Sequence, residues 1–277
     1  MAELRFDEVG YWSEIKLEIL KEYASAYSRI LSAQKAPALS HVYIDAFAGA
    51  GMHITKGTKT FVLGSPLNAL FVSPPFREYH LIDIISEKIE NLKALVGQRD
   101  DVFIYQGDCN RILTDTVFPR IKYEAYRRGL CILDPYGLDL DWQVLLSAGK
   151  TKTLDVFLNF PVADMNRNIL WRDPEAVDSS QRERLNKYWG DSSWREIAYR
   201  TDTTLFGTPE KQTNETVAEA FRTRLIKAAG FSRVPRPVPM RNTKGTIVYY
   251  LFFASQKDRA ENIVNDIFRK YEGRGGL

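Results

Sequence analysis

Cysteine and histidine are scarce in this chain: its 277 residues include two cysteines, Cys109 and Cys131, and three histidines, His41, His53 and His80. The cysteines lack metal-ligand spacing and the histidines are scattered. A disulfide framework, a zinc site and a histidine-based triad are therefore not expected, and both thiols read as buried and free. No apolar run approaches the ~20 residues that a bilayer-spanning helix needs. The first residues carry Glu3, Asp7 and Glu8 where a signal peptide has an apolar core, so the expectation is a soluble, cytoplasmic protein with no membrane partner. Charge of one sign is missing too: 38 Lys and Arg against 35 Asp and Glu leave a formal net charge of +3. Repeats and low-complexity linkers are absent, and 44% hydrophobic residues over this length can fill one large core, so residues 1–277 are read as a single domain.

What is present is a succession of apolar runs, each ending in a polar group. Residues 41–51, HVYIDAFAGAG, place four strand formers ahead of an acidic turn of the form D-x-F-x-G-x-G. Glycines one residue apart let the backbone bend tightly and approach a ligand without a Cβ in the way, so Asp45, Phe47, Gly49 and Gly51 are read as a cofactor loop at the carboxyl edge of a sheet. A second run, from Glu78 to Ile85, is interrupted by Asp83, an acid placed to accept from ribose hydroxyls, and a helical stretch from Ser86 to Val96 follows. The third, from Val102 to Asp108, ends in Asp108, placed to accept from an adenine amino group. The fourth ends in Asp134-Pro135-Tyr136-Gly137. Acids at strand ends also cap helices, and Gly107-Asp108 reads equally well as a turn before a helix.

This series resembles a class I S-adenosylmethionine-dependent methyltransferase, which implies S-adenosyl-L-methionine as cofactor. It implies an α/β fold: a mainly parallel seven-stranded sheet with an antiparallel C-terminal strand. Residues 154–160 supply a fifth strand, Glu215 to Ala229 a long helix, and 234–255 a hairpin. A closer resemblance is to the three-Cys-motif partner (TcmP) family, carried by YWSEIKLEILKEY at 11–23, the IDAFAG loop, DPYG at 134–137 and RNTKG with YYLFFAS near the end. That family implies a three-cysteine protein as partner.

The fourth strand end would carry the chemistry. A base amine is a poor nucleophile because its lone pair is delocalised into the ring. A carboxylate (Asp134) and a carbonyl (Pro135) accepting its two N–H bonds draw the nitrogen toward tetrahedral geometry, while Tyr136 stacks on the base. Amino-methyltransferases commonly have Asp/Asn-Pro-Pro-aromatic here. This chain has one proline fewer, and a purely structural turn is the competing reading. Asn159 and Phe160, at the next strand end, are read as adding a polar group and a ring to the same pocket. The run from Arg222 to Lys244, with seven basic residues including Arg233, Arg236 and Arg241 and no acid, is read as a patch facing nucleic-acid phosphates, against the simpler reading of a solvated face.

Three segments lie outside the minimal fold. Residues 1–40 are read as a helical extension from which Tyr11, Trp12 and Lys16 close over the cofactor. Met52 to Leu63 separates the glycines from a helix expected to start with Ser65 as its cap and Pro66 as its first residue. Pro161 to Thr213, with Trp171, Trp189 and Trp194, is read as a helical insertion overhanging the sheet as a substrate lid. The function that follows is N-methylation of a nucleic-acid base. The alternatives are a non-catalytic cofactor-binding subunit, and a methyltransferase acting on a small molecule or protein.

Overall fold

The computed structural model describes residues 6–200, 210–242 and 244–272. Along the chain, β1 (Asp7–Val9) leads into α1 (Tyr11–Ser32), β2 (Ser40–Asp45), the strands β3 (Met52–Thr55) and β4 (Phe61–Leu63), and α2 (Ser65–Leu70). Next come β5 (Glu78–Asp83), α3 (Ser86–Val96), β6 (Val102–Gln106), the single turn α4 (Cys109–Arg111), β7 (Arg127–Leu133), α5 (Trp142–Thr151) and β8 (Leu154–Phe160). The insertion contributes α6 (Val162–Asn168), α7 (Ser179–Trp189), α8 (Trp194–Ala198) and the short strands β9 (Tyr199–Arg200) and β10 (Glu210–Lys211). The chain ends with α9 (Asn214–Lys227), β11 (Val238–Arg241), β12 (Ile247–Ala254) and α10 (Asp258–Glu272).

The main sheet has the order β6-β5-β2-β7-β8-β12-β11. Its first five strands are parallel, β12 runs antiparallel to β8, and β11 runs antiparallel to β12. One reversed strand next to the end of an otherwise parallel sheet is the class I methyltransferase arrangement, as the sequence reading expected. Alternation along the strands divides the core in two. Val42, Ile44, Cys131, Leu133, Val156 and Leu158 face one side, and Tyr43, Leu130, Ile132 and Phe157 the other. The first face is covered by α5, α9 and the insertion, the second by α1, α3 and α10. On α1, Trp12, Ile15, Ile19, Tyr23 and Tyr27 recur at helical spacing and make the buried stripe.

Residues 1–40 are not purely helical, because β1 pairs in parallel with β3, and β3 with β4, as a separate three-stranded sheet. In the insertion, Trp189 and Trp194 are buried against the first core face, whereas Trp171 is 42% exposed. Residues 201–209 of the insertion lie outside the described residues, as does Thr243. Cys109 and Cys131 are buried and free. Among the described residues no helix is long and apolar enough to cross a membrane.

A buried carboxylate ties the ends of this frame together. Asp155, in β8, accepts from Tyr23 Oη of α1 at 2.7 Å and from Ser255 Oγ, just after β12, at 2.5 Å. Burial pushes its carboxyl up to about 6 despite both hydrogen bonds. Because the folded chain holds this proton more tightly than the unfolded one, the group removes stability as pH rises from 3.8 through about 6. Replacing Asp155 with Asn should abolish that component. The stability difference between Asp155→Asn and wild type, measured by denaturant unfolding, should move in the variant's favour by about 2–3 kcal/mol between pH 4 and pH 7. A difference independent of pH would contradict the assignment.

Candidate active site

Two loops meet where the strand order changes direction, since β2 lies between β5 and β7 and its two neighbours are followed along the chain in opposite directions. The first loop is held from beneath by Asp45. This carboxylate is fully buried, accepts from Tyr43 Oη at 3.1 Å and from the Phe47 N–H at 3.3 Å, and also bonds the Ser65 side chain. Burial pushes it up to about 6, against the pull of Ser65 and the Phe47 amide and with the Asp134 charge adding to the rise. It therefore supports the loop and lines neither of the cavities described below. Gly49 and Gly51 have φ of +63° and +84°, in the left-handed region. Gly49 faces a cavity, and a Cβ there would meet no atom within 4 Å. A Cβ at Gly51 would instead lie 3.0 Å from Leu92, so the absence of a side chain there serves helix packing.

The Met52 to Leu63 excursion is closed at its base. The Gly64 N–H donates to the Gly51 carbonyl at 2.8 Å, and a Cβ at Gly64 would lie 2.8 Å from that oxygen. Gly64, not Ser65, caps α2, because only glycine fits where the two ends of the excursion touch. The helix start is thus returned to the glycine loop, with Ser65 lining the cavity and His53 brought in from β3.

On one side of Phe47 and Tyr136 lies a cavity of about 430 Å³ lined by Asp83, Ile84, Ile85, Gly107 and Asp108. Asp83 accepts from the Gly49 N–H at 2.9 Å through one oxygen and from the Ile85 N–H at 2.9 Å through the other, joining the ends of β2 and β5. Ile84, 68% exposed, offers an apolar shelf beside it. Asp108 caps α4, accepting from the Asn110 N–H at 2.9 Å and from Asn110 Nδ2 at 3.0 Å, both on Oδ1. The turn reading of Asp108 and its place at the cavity are therefore both present.

On the other side of the same two rings lies a cavity of about 370 Å³. Lys16 reaches into it from α1 and forms an ion pair with Asp134 Oδ2. Burial works to lower the Lys16 ammonium, but the Asp134 charge, Tyr249 and the Asp134 hydrogen bond outweigh it and hold the lysine above its ordinary value. His53 is pushed down by burial and by Lys16, which keeps its ring uncharged near neutral pH. Among the described residues, His53 Nδ1 and Asn159 Oδ1 are buried without a hydrogen-bond partner and belong to residues lining this cavity, and Asp164 Oδ2, also without a hydrogen bond, has only Arg184 at 3.8 Å. Buried polar groups are rarely left unsatisfied, so their convergence marks a place for a polar ligand. Tyr136, 66% exposed, accepts from Lys88 Nζ at 2.7 Å and donates to Asp7 Oδ2 at 3.0 Å, which fixes its ring between the two cavities. Pro135 is buried beneath it.

Other residues fall elsewhere. Phe160 is fully buried among Phe221, Tyr188 and Phe252, on the opposite side of its strand from Asn159. The basic run is split and locally neutralised: Arg233 pairs with Asp258 at 2.5 Å, Arg236 with Glu215, Arg222 with Glu219 at 2.6 Å and Arg224 with Asp191 at 2.5 Å. Arg236 and Arg241 border a separate groove of about 950 Å³ beside β11, away from both cavities, and Arg233 lies outside all three. Asp164 and His53 carry no motif that would single them out, while Ser65 reads from the sequence as a helix cap and Tyr249 as part of YYLFFAS, neither as a site residue.

No protein-family model and no curated protein sequence matches the chain. Among solved structures, it is similar to protein LPL1258 from Legionella pneumophila, at 12% identity and TM-score 0.44 over 92% of this chain and 91% of that one. It is also similar to an S-adenosylmethionine-dependent methyltransferase from Mesorhizobium loti, at 11% identity and TM-score 0.40 over 85% and 99% of the two chains. At such scores the fold rests on the strand order of this chain itself.

The closure at Gly64 generates a stability prediction. Gly64→Ala should lower unfolding stability by about 1–3 kcal/mol by forcing the two ends of the excursion apart. Gly57→Ala, in the same excursion with no atom within 4 Å of its Cβ position, should change it by no more than about 0.5 kcal/mol. Equal stabilities for the two variants would show that the Gly51–Gly64 contact does not hold the loop.

Proposed function

We propose that the paired cavities form an S-adenosyl-L-methionine site and that the protein transfers the methyl group to an amine on a planar ring, such as a nucleic-acid base. The observation that supports this most is the position of Asp134. It follows the strand next to the glycine loop and lines a polar cavity that adjoins, across Phe47 and Tyr136, one suited to a nucleoside. Each cavity falls within the roughly 300–1,000 Å³ typical of small-molecule sites.

The residues present fit the cofactor. Asp83 and Asp108 would meet a ribose and an adenine from strand ends, and Ile84 would pack on the base; all three line the cavity suited to a nucleoside. Gly49 leaves the loop open toward the cavity where the amino-acid end would lie, which His53 also lines. The cofactor, once bound, supplies an electrophilic methyl on a sulfonium. The chain supplies everything else: Asp134 and the Pro135 carbonyl accept the amine's N–H bonds, Tyr136 stacks on the ring, and Asn159 and Asp164 accept further donors of the substrate. The insertion at 161–213 is the lid, since Ala163, Asp164 and Arg167 border the amine side and Arg184 and Lys187 the nucleoside side. No strong base is required, because the proton can leave after the methyl has moved.

Incubation of the protein with labelled S-adenosylmethionine and cellular RNA or DNA, followed by mass spectrometry of the nucleosides, should reveal an N-methylated base. Asp134→Ala should cut the transfer rate by about 100-fold or more while S-adenosylhomocysteine still binds. Tyr136→Ala should weaken substrate binding roughly tenfold or more, since stacking contributes ~1–3 kcal/mol per base. Transfer at the wild-type rate by Asp134→Ala would defeat the amine-holding role.

A further inference from the structure

Lys16 is a buried cation inside the cavity assigned above to the amino-acid end of the cofactor, and its partner is the carboxylate assigned to the substrate amine. The side chains of the pair are 11% and 32% exposed, with Lys16 also 5.4 Å from the centre of the Tyr249 ring. The other cation bordering this cavity, Arg167, projects from α6 on the exposed side. We propose that Lys16 is the subsite for the carboxylate of the cofactor's amino-acid group, and that this carboxylate and Asp134 exchange on it.

Given the reading of the cleft as an S-adenosylmethionine site, charge complementarity in a confined space decides which group the lysine holds. The cofactor's amino-acid group enters as a zwitterion. Its ammonium can be met by the acids that border this cavity, Asp7, Glu8 and Asp164, whereas its carboxylate needs a cation or it stays in water. Lys16 is the buried one that lines this cavity, together with Gly49 and Ser65. Two carboxylates cannot both keep full hold of one buried ammonium that already holds Asp134 and lies 5.4 Å from the centre of the Tyr249 ring. Arrival of the cofactor therefore draws Lys16 off Asp134. That frees Asp134 Oδ2 to accept from the substrate amine, which now takes the place the lysine held. Without cofactor the protein's own amine occupies the acceptor, so substrate engages second. The exchange forms and breaks ionic hydrogen bonds only.

Binding measurements separate this from a merely structural ion pair. The probes are S-adenosylhomocysteine, which has the carboxylate, and methylthioadenosine, which keeps the nucleoside and the thioether but lacks the amino-acid group. Calorimetry on Lys16→Met should show S-adenosylhomocysteine weakened by about tenfold or more, with methylthioadenosine changed by less than about twofold. Asp134→Asn, which removes the competing carboxylate, should tighten S-adenosylhomocysteine by roughly threefold or more and leave methylthioadenosine unchanged. The second variant keeps the test alive if Lys16→Met does not fold.

Equal effects on both ligands, no tightening with Asp134→Asn, or a selective loss in Arg167→Gln in place of Lys16→Met would overturn the proposal while leaving the cofactor reading intact. Failure of the wild-type protein to bind either ligand would remove the cofactor reading itself.

Discussion

The carboxyl edge of the sheet depends on one topological constraint: β2 must have β5 on one side and β7 on the other, with the chain leaving in opposite directions from the two neighbours. The constraint leaves a crevice that backbone hydrogen bonding cannot close. The residues that end these strands are consequently brought to one place although they are far apart in sequence. Asp45, Asp83 and Asp134 stand at the ends of three adjacent strands for this reason, and no local interaction could have assembled them.

The three acids then divide the work according to depth. Asp45, fully buried, is spent on the loop above it and is pushed toward its neutral form. Asp83, buried but facing the nucleoside-sized cavity, spans the gap between the glycine loop and the helix that follows β5. Asp134 is the one least enclosed, and a lysine from outside the minimal fold balances it. The additions to the fold follow the same logic. The β1–β3–β4 sheet and α1 bring His53 and Lys16 to the amine-side cavity, and the insertion brings Asp164 to it.

Most of the frame was legible in the sequence because it is written in local patterns. The expected strand at 154–160 and the expected helix at 86–96 coincide with β8 and α3, since apolar runs and helical periodicity are set by near neighbours. Readings that depended on distant residues fared differently. The basic run contains no acid, yet Glu215, Glu219, Asp258 and Glu261 pack against it from α9 and α10, so counting charges along the chain overstated the patch. Asn159 and Phe160 were assigned to one pocket, but consecutive strand residues face opposite sides, and only Asn159 borders the cavity. Gly64 carries no local signal because its importance lies in meeting Gly51 across a hairpin, and the packing of Leu92 against the open side of Gly51 is equally a matter of distant residues.

The central claim is that one ligand spans both cavities, passing between Phe47 and Tyr136. A crystal structure of the protein grown with S-adenosylhomocysteine tests it most directly. The ribose should lie within hydrogen-bonding distance of Asp83, with the sulfur beside Asp134 and the amino-acid end in the cavity lined by His53 and Asn159. A ligand bound anywhere else, or one confined to the nucleoside side with its sulfur remote from Asp134, would contradict the account.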